Sequence, residues 1–294
     1  MDEFLRNYNI TKGIFEDKLK EYINDFHYYP RLSKAMQYSI NAGGKRLRPI
    51  LMIECSKMIG LSIDRIIPLA IAIELVHTYS LIHDDLPCMD DDDLRRGKPT
   101  NHIVFGEDMS VLAGDGLLNL AMETALGGIE SDNCENYIKA VSKLFSSSGP
   151  SGMIGGQAID IINTGKFQSL DDLKLMHSKK TGALFEASCL CPALLLGAND
   201  AIISCLLEYS QYLGLLFQVK DDILDVIGDQ DTLGKSIGKD EASNKSTFIS
   251  LMGLDNSIEY SYEIAEKAKK PLEEFGNRNK FLIDLIKYIL ERNS

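Results

Sequence analysis

Residues 80–97 read SLIHDDLPCMDDDDLRRG, and this acidic stretch stands at the end of a long apolar run. From Ile66 to His83 the apolar positions recur at intervals of three and four residues, the spacing of a helix that buries one face. Pro87 argues against a straight helix through the acidic residues, because proline breaks or kinks a helix interior. The sequence therefore predicts a buried helix that is closed by a cluster of carboxylates.

A second acidic box, residues 217–229 with the sequence FQVKDDILDVIGD, closes another apolar segment with helical spacing, Ala201 to Ile227. Asp221 and Asp225 are four apart, so their carboxylates share a helical face and repel each other. A hard divalent cation removes this repulsion, and Mg²⁺, which takes one or two carboxylates plus substrate phosphates and water, suits the pattern. A solvated helix end is the alternative for one box alone, and the duplication favours a metal site.

The first box is wider than the second. At about 100° per residue, Asp84 and Asp90 would not share a face of a straight helix. Asp91, one position further along, is the helical-wheel alternative to Asp90, and the spacing does not choose between the two.

Basic residues predict what lies between the boxes. In GGKRLRP, residues 43–49, Lys45 and Arg48 are three apart, a spacing suited to gripping one polyanion. The alternative is a basic helix end that interacts with the helix dipole. The other basic residues of the pattern are Arg95, Arg96, Lys180 and Lys235. Together they predict two diphosphate sites, one bridged by Mg²⁺ and one held by cations only, with the apolar helices walling a pocket for a hydrocarbon tail.

Composition narrows the class of protein. The chain has 294 residues and a net charge of −12, so it lacks the basic surface on which non-specific nucleic-acid binding rests. Its six cysteines contain no C-x-x-C pair, and packed free thiols are expected. Apolar stretches fall short of the roughly 20 residues of a membrane span, and no secretory signal precedes them. The expectation is a cytoplasmic protein of mostly helical structure, without nucleic-acid binding or membrane insertion.

Five ordered motifs covering nearly the whole chain resemble the trans-isoprenyl diphosphate synthase family, and within it the bacterial farnesyl diphosphate synthases. They are GGKRLRP, SLIHDDLPCMDDDDLRRG, GGQAID (155–160), KTGAL (180–184) and FQVKDDILDVIGD. The resemblance implies an all-α isoprenoid synthase fold with about ten core helices around a central cavity. It also implies a single polyprenyl synthetase domain over residues 1–294 and a homodimer.

The resemblance assigns roles residue by residue. It implies Mg²⁺ ligands at Asp84 and Asp90 with Asp85 in support, and at Asp221 with Asp222 and Asp225 nearby, for three ions per active site. The residues that match the allylic diphosphate side are Arg95, Lys180, Thr181, Gln218, Lys235 and, less closely, Lys245. Those that match the isopentenyl diphosphate side are Lys45, Arg48, His77 and Arg96. His77 also shares a helical face with Asp84, although a structural histidine is the alternative reading.

The implied reaction needs no covalent nucleophile. Mg²⁺ and the cations stabilise the charge of the departing diphosphate. The double bond of isopentenyl diphosphate then attacks the allylic cation, and a proton passes to the released diphosphate. The backbone carbonyls of Lys180 and Thr181 and the side chain of Gln218 would face the cation as dipoles.

Chain length is predicted from the residues before the first box. In the family, an aromatic residue five positions before a wide box accompanies a product of fifteen carbons, and Tyr79 fits that pattern. On a helical wheel Ser80 lies closer to Asp84 than Tyr79 does, so an ordinary core aromatic is the alternative for Tyr79.

Three other functions stay open at this point. They are a geranylgeranyl diphosphate synthase of the same fold, a class I terpene cyclase and a catalytically silent subunit. A cyclase would carry Ser or Thr and Glu where this chain has Asp225 and Asp229, and it would not need the Lys45 and Arg48 site.

Overall fold

Helices supply nearly all of the regular structure. A computed structural model describes residues 1–24, 26, 28–129, 134–227 and 246–292. The first half of the chain forms α1 (Asp2–Asn24), α2 (Pro30–Ile40), α3 (Leu47–Ile59), α4 (Ile63–Asp84), α5 (Asn101–Phe105), α6 (Glu107–Gly127) and α7 (Cys134–Ser148). The second half forms α8 (Met153–Asn163), α9 (Leu170–His177), α10 (Ala183–Leu196), α11 (Asp200–Ile227), α12 (Phe248–Met252), α13 (Leu254–Lys269) and α14 (Lys280–Glu291). The predicted all-α fold is confirmed.

Short irregular elements join some of these helices. A π-helical turn, Ser178–Gly182, connects α9 to α10, and a 3₁₀ segment, Lys270–Asn279, connects α13 to α14. A two-stranded ribbon of β1 (Leu94–Arg95) and β2 (Lys98–Pro99) lies between α4 and α5.

The centre of the fold consists of helices that are apolar on most sides. Helix α4 packs chiefly against α6 and α3, and α10 packs against α7, α3 and α11. Helices that are hydrophobic all round must be surrounded by others, because no face can be left to solvent. Two hydrophobic clusters result, one around α4 and α6 and one around α10 and α11.

The predicted helix ends bring both acidic boxes to the ends of core helices. Helix α4 ends at Asp84, three residues before Pro87, so the rest of the first box lies in the loop that follows. Helix α11 continues to Ile227 and therefore carries Asp221 and Asp225 on continuous helix. The prediction of helix from Ala201 to Ile227 is confirmed. The π turn divides residues 172–190 between two helices, although their apolar residues keep the spacing of one helix.

Two of the core helices satisfy the length and composition of a membrane span. These are α4 and α11, whose most apolar 18-residue windows are 67% and 39% buried inside the protein. Buried core helices of soluble proteins pass the same test, so the absence of membrane insertion stays a prediction.

Helix α8 approaches the π turn closely at Gly156. A Cβ at this position would overlap the backbone nitrogen and Cα of Lys180. Only a residue without a side chain lets the two backbones meet at this distance.

Gly156→Ala is therefore expected to lower the free energy of unfolding by about 1–3 kcal/mol, the usual cost of forcing a methyl group into a packed site. Urea unfolding measures this change. Gly13→Ala in α1 is the control, because a Cβ at Gly13 meets nothing within 4 Å. We expect this control to raise the free energy of unfolding by up to about 1 kcal/mol. Equal stabilities of Gly156→Ala and the unaltered protein would contradict the close packing.

Candidate active site

The loop before α3 carries the predicted cation Lys45, the first turn of α3 carries Arg48, and α1 holds the loop from one side. The Tyr8 hydroxyl donates to the carbonyl oxygen of Lys45 at 2.5 Å, and Lys12 Nζ donates to that of Gly44 at 2.7 Å. The guanidinium carbon of Arg48 lies 5.4 Å from the centre of the Phe185 ring on α10, within reach of a cation–π contact. The first helix of the chain thus helps to form the site.

The ribbon after the first box places the two predicted arginines. Arg96 and Gly97 form its two-residue turn, with φ values of 55° and 72°. Positive φ at both central residues is the type I′ hairpin turn, which suits the twist of paired strands. Arg95 Nε donates to Asp85 Oδ1 at 2.6 Å, and Arg96 donates to the carbonyl oxygen of Gly43. Gly44 has a φ of 129°, a backbone conformation that residues with a side chain rarely adopt, so glycine is favoured there.

The cationic side of the site is short of negative charge. Burial lowers the pKa of Arg48 to about 10, and the Nε of this residue is buried without a hydrogen-bond partner. Burial, followed by the charges of four arginines, lowers the pKa of His77 well below its usual value. These arginines are Arg48, Arg96, Arg95 and Arg46. Crowded cations with an orphaned donor fit a polyanionic ligand.

The acidic side shows the opposite imbalance. Burial, together with the nearby charge of Asp90, raises the pKa of Asp84 to about 6, although Lys180 counteracts the shift. Burial also raises the pKa of Asp85, although its carboxylate is paired with Arg95. The charge of Asp90 acts on both carboxylates, and its backbone amide donates to the carbonyl oxygen of Asp84 at 2.8 Å. The choice of Asp90 over Asp91 as a metal ligand stays a prediction.

The second box divides its carboxylates between two tasks. Asp221 is partly exposed and forms an ion pair with Arg292, which follows α14. Asp222 is buried, and its two oxygens accept hydrogen bonds from Gln218 Nε2 at 3.0 Å and from the amide of Phe248 at 2.9 Å. This arrangement favours a positioning role for Asp222, with Asp221 and the half-buried Asp225 as the candidate ligands.

The π turn joins the two boxes. Lys180 Nζ lies 2.6 Å from Asp160 Oδ2 on α8, and its charge also acts on Asp84. The next residue, Thr181, donates from its hydroxyl to Gln218 Oε1 at 3.2 Å. Single π turns inside helices are frequent at functional sites. The structure thus brings Lys180, Thr181 and Gln218 together as predicted.

The donor set fits Mg²⁺. In the described residues, no three His, Cys, Asp or Glu side chains assemble into a cage by themselves. Mg²⁺ does not need one, because it keeps water and takes substrate phosphates alongside one or two carboxylates. A cation beside Asp84 would also stabilise the charged form of this carboxyl, which burial and the charge of Asp90 disfavour.

The two predicted chain-length residues lie in different surroundings. Tyr79 is 5% exposed, its ring meets that of His83 edge-on at 5.8 Å, and its hydroxyl is buried without a hydrogen-bond partner. The Ser80 hydroxyl donates to the carbonyl oxygen of His77 at 2.9 Å. The predicted substrate residues Lys235 and Lys245 lie outside the described residues.

Four residues at the site were not assigned a role from the sequence. They are Arg46, Glu74, Asp160 and Arg292. Asp160 belongs to the GGQAID motif, and Arg46 lies between Lys45 and Arg48 in GGKRLRP, so membership of these motifs was a signal for both residues. Glu74 and Arg292 carry no local signal, because their importance comes from partners distant in the sequence.

Backbone strain is concentrated at the same place. Within the part of the chain that the structure describes, three residues other than glycine have positive φ, namely Arg46, Asp91 and Arg96. Each such residue costs of order 1–3 kcal/mol, and such strain clusters at functional sites. All three stand in the two loops that carry the predicted ligands.

Known proteins give an independent identification. The polyprenyl synthetase family pattern matches residues 29–282. The chain is 42% identical over 289 residues to geranylgeranyl diphosphate synthase from Cyanophora paradoxa, covering 96% of this chain and 94% of that protein. It is 40% identical over 291 residues to farnesyl diphosphate synthase from Geobacillus stearothermophilus, covering 97% of both.

A solved structure extends the similarity to three dimensions. The geranyltransferase from Helicobacter pylori, complexed with magnesium and isoprenyl diphosphate, matches with a TM-score of 0.82 and 31% identity over 98% of this chain and 96% of that chain. The fold, the paired acidic boxes and the sequence matches agree, and the chain belongs to the polyprenyl synthetase family.

Proposed function

We propose that this protein is a Mg²⁺-dependent trans-prenyltransferase that condenses isopentenyl diphosphate with dimethylallyl and then geranyl diphosphate to give farnesyl diphosphate. The observation that carries the proposal is a pair of neighbouring charge clusters of opposite sign, each balanced only in part by its own ion pairs. Arg48 has an orphaned buried donor, and Asp84 has a pKa raised to about 6. One diphosphate held by cations and a second held through metal ions would neutralise both clusters.

The cationic cluster binds isopentenyl diphosphate in this proposal. The guanidinium groups of Arg48 and Arg96 offer several N–H donors each, and such forks match phosphate oxygens. His77 stays neutral beside them, because its pKa is held well below the usual value. Lys45, at the exposed edge of the same loop, adds a further charge.

Arg95 and Lys180 face the allylic diphosphate. Asp85 fixes the Arg95 side chain and Asp160 fixes that of Lys180, so both charges are oriented before the substrate arrives. Charges that need no rearrangement during the reaction stabilise the negative charge that develops as the carbon–oxygen bond breaks. Bound Mg²⁺ would supply Lewis-acid stabilisation of the same leaving group from the aspartate boxes.

The residues of the π turn and α11 handle the positive end of the reaction. Gln218 is held between Thr181 and Asp222, so its amide dipole has a fixed direction. The carbonyls of Lys180 and Thr181 face the same space in the proposal and stabilise the allylic cation. The departing diphosphate accepts the proton that the condensed product loses. Apolar helices around the site exclude water, which would otherwise capture the cation.

The proposal is tested by incubating the purified protein with Mg²⁺, dimethylallyl diphosphate and isopentenyl diphosphate and separating the dephosphorylated products. Asp84→Ala and Asp221→Ala are each expected to lower turnover by orders of magnitude with the fold retained, and chelation of Mg²⁺ is expected to stop it. Asp171→Ala, an exposed aspartate at the start of α9, is the matched control.

Absence of a condensation product would refute the proposed function. A cyclic hydrocarbon would indicate a terpene cyclase, and activity only with a second protein would indicate a regulatory subunit.

Product length is proposed from Tyr79, whose ring would close the end of the tail pocket. Tyr79→Ala is expected to give products longer than fifteen carbons, because removing the ring opens space beyond the first box. Chromatography of the dephosphorylated products measures this, with Tyr262→Ala as the control at an exposed tyrosine. A variant that still stops at fifteen carbons contradicts the role of Tyr79. A twenty-carbon product from the unaltered protein supports the geranylgeranyl alternative, which relatives such as the Cyanophora enzyme favour.

We also propose a cytoplasmic homodimer in which α5 and α6 form the contact surface. Ile103 and Val104 on α5 and Val111 and Leu112 on α6 are exposed although apolar. Sedimentation velocity is expected to give the mass of two chains, and Leu112→Asp is expected to shift it toward one. A monomeric unaltered protein contradicts this part of the proposal.

A further inference from the structure

A buried ion pair lies directly beneath the cationic cluster. Arg46 Nη1 is 2.6 Å from Glu74 Oε1, and both side chains are 2% exposed. Arg46 Nε also pairs with Glu16 on α1 at 2.8 Å, and its Nη2 donates to the carbonyl oxygen of Ile40 at 2.7 Å. Arg46 therefore connects α1, α2 and α4 from the start of α3.

Arg46 lies between the predicted ligands Lys45 and Arg48 in the sequence, but its own side chain pairs with Glu16 and Glu74. It is one residue after Lys45 and two before Arg48, and its backbone takes a left-handed conformation with φ of 53°. Such a conformation costs free energy for a residue with a side chain, and it persists only where the surroundings enforce it. Tyr8 and Lys12 hold this loop independently of Glu74, through the carbonyl oxygens of Lys45 and Gly44.

Glu74 shares its surroundings with the substrate-binding cations. It stands three residues before His77 on α4, so the two side chains follow the same face of the helix. Its charge acts on Arg48 and on Arg96 as well as on Arg46. A buried carboxylate without a counter-ion is costly, and Arg46 is the arginine that pairs with Glu74 in this structure.

We propose that Arg46 is a positioning residue of the isopentenyl diphosphate site. By holding Glu74 in a buried ion pair, it leaves the guanidinium groups of Arg48 and Arg96 free to bind diphosphate. This inference rests on the proposed function, which assigns Arg48 and Arg96 to that substrate. A solely structural Arg46 would instead stabilise the loop without altering the balance between Glu74 and the other arginines.

A positioning role and a solely structural role of Arg46 predict different results when Glu74 is replaced together with Arg46. In Arg46→Met, the unpaired Glu74 is expected to pair with Arg48 or Arg96 and compete with the substrate. The KM for isopentenyl diphosphate is then expected to rise by about tenfold or more, because truncating one member of a buried charge pair leaves the other charge unpaired. The KM for the allylic substrate is expected to stay within about threefold of the unaltered value. In Arg46→Met with Glu74→Leu, the competitor is gone, and the KM for isopentenyl diphosphate is expected to return to within about threefold of the unaltered value.

Titration calorimetry with inorganic diphosphate, in the absence of metal, gives a readout independent of turnover. We expect binding about tenfold weaker in Arg46→Met and recovered in the double variant. Arg278→Met, at an exposed arginine of the 3₁₀ segment, is the control and should bind as the unaltered protein does. If the unaltered protein binds diphosphate but forms no prenyl product, the proposed function fails, whereas the role of Arg46 is still decided by these affinities.

Two outcomes would overturn the inference. One is a double variant that keeps the raised KM and weak diphosphate binding, since Arg46 would then act only by anchoring the loop. The other is an Arg46→Met protein with unchanged affinity for isopentenyl diphosphate. If Arg46→Met does not fold, Glu74→Gln decides: the inference requires equal or tighter diphosphate binding in this variant, and weaker binding contradicts it.

Discussion

The site depends on holding like charges together in a partly dry environment. The charges of four arginines act on His77, and the charge of Asp90 acts on Asp84. Such crowding is unfavourable by itself, because desolvation and repulsion both oppose the charged forms. The surrounding helices supply the compensating free energy, since burying one large apolar side chain contributes about 1.5–3 kcal/mol.

Ion pairs around the site share this task. Asp85 fixes Arg95, Asp160 fixes Lys180, and Glu74 fixes Arg46. Each pair uses one carboxylate to orient one cation. In the proposed function, the oriented Arg95 and Lys180 then face the allylic diphosphate.

Much of this organisation follows from the sequence. The apolar spacing predicts α11 almost to its first residue, and Pro87 predicts that the first box lies beyond the end of α4. The motif GGKRLRP predicts a cationic loop. Local spacing does not give the direction of each side chain, however. Asp221 and Asp222 are neighbours in one box, yet one is partly exposed and paired with Arg292 while the other is buried against Gln218. The helical wheel leaves Asp90 and Asp91 open, because the box is a loop to which no wheel applies.

The π turn between α9 and α10 has a consequence for helical phase. An extra residue in one turn rotates everything after it by about 100° relative to a continuous α-helix. Helix α9 can therefore pack against α8 and α12, while α10, which follows it directly in the chain, packs against α3 and α7. Helices α9 and α10 both keep a period of 3.6 residues, so the spacing of residues 172–190 is that of one helix. The apolar faces of α9 and α10 nevertheless contact different helices. Deleting one residue of Ser178–Gly182 would turn α9 and α10 into one continuous helix. The apolar face of α10 would then be rotated away from α3 and α7.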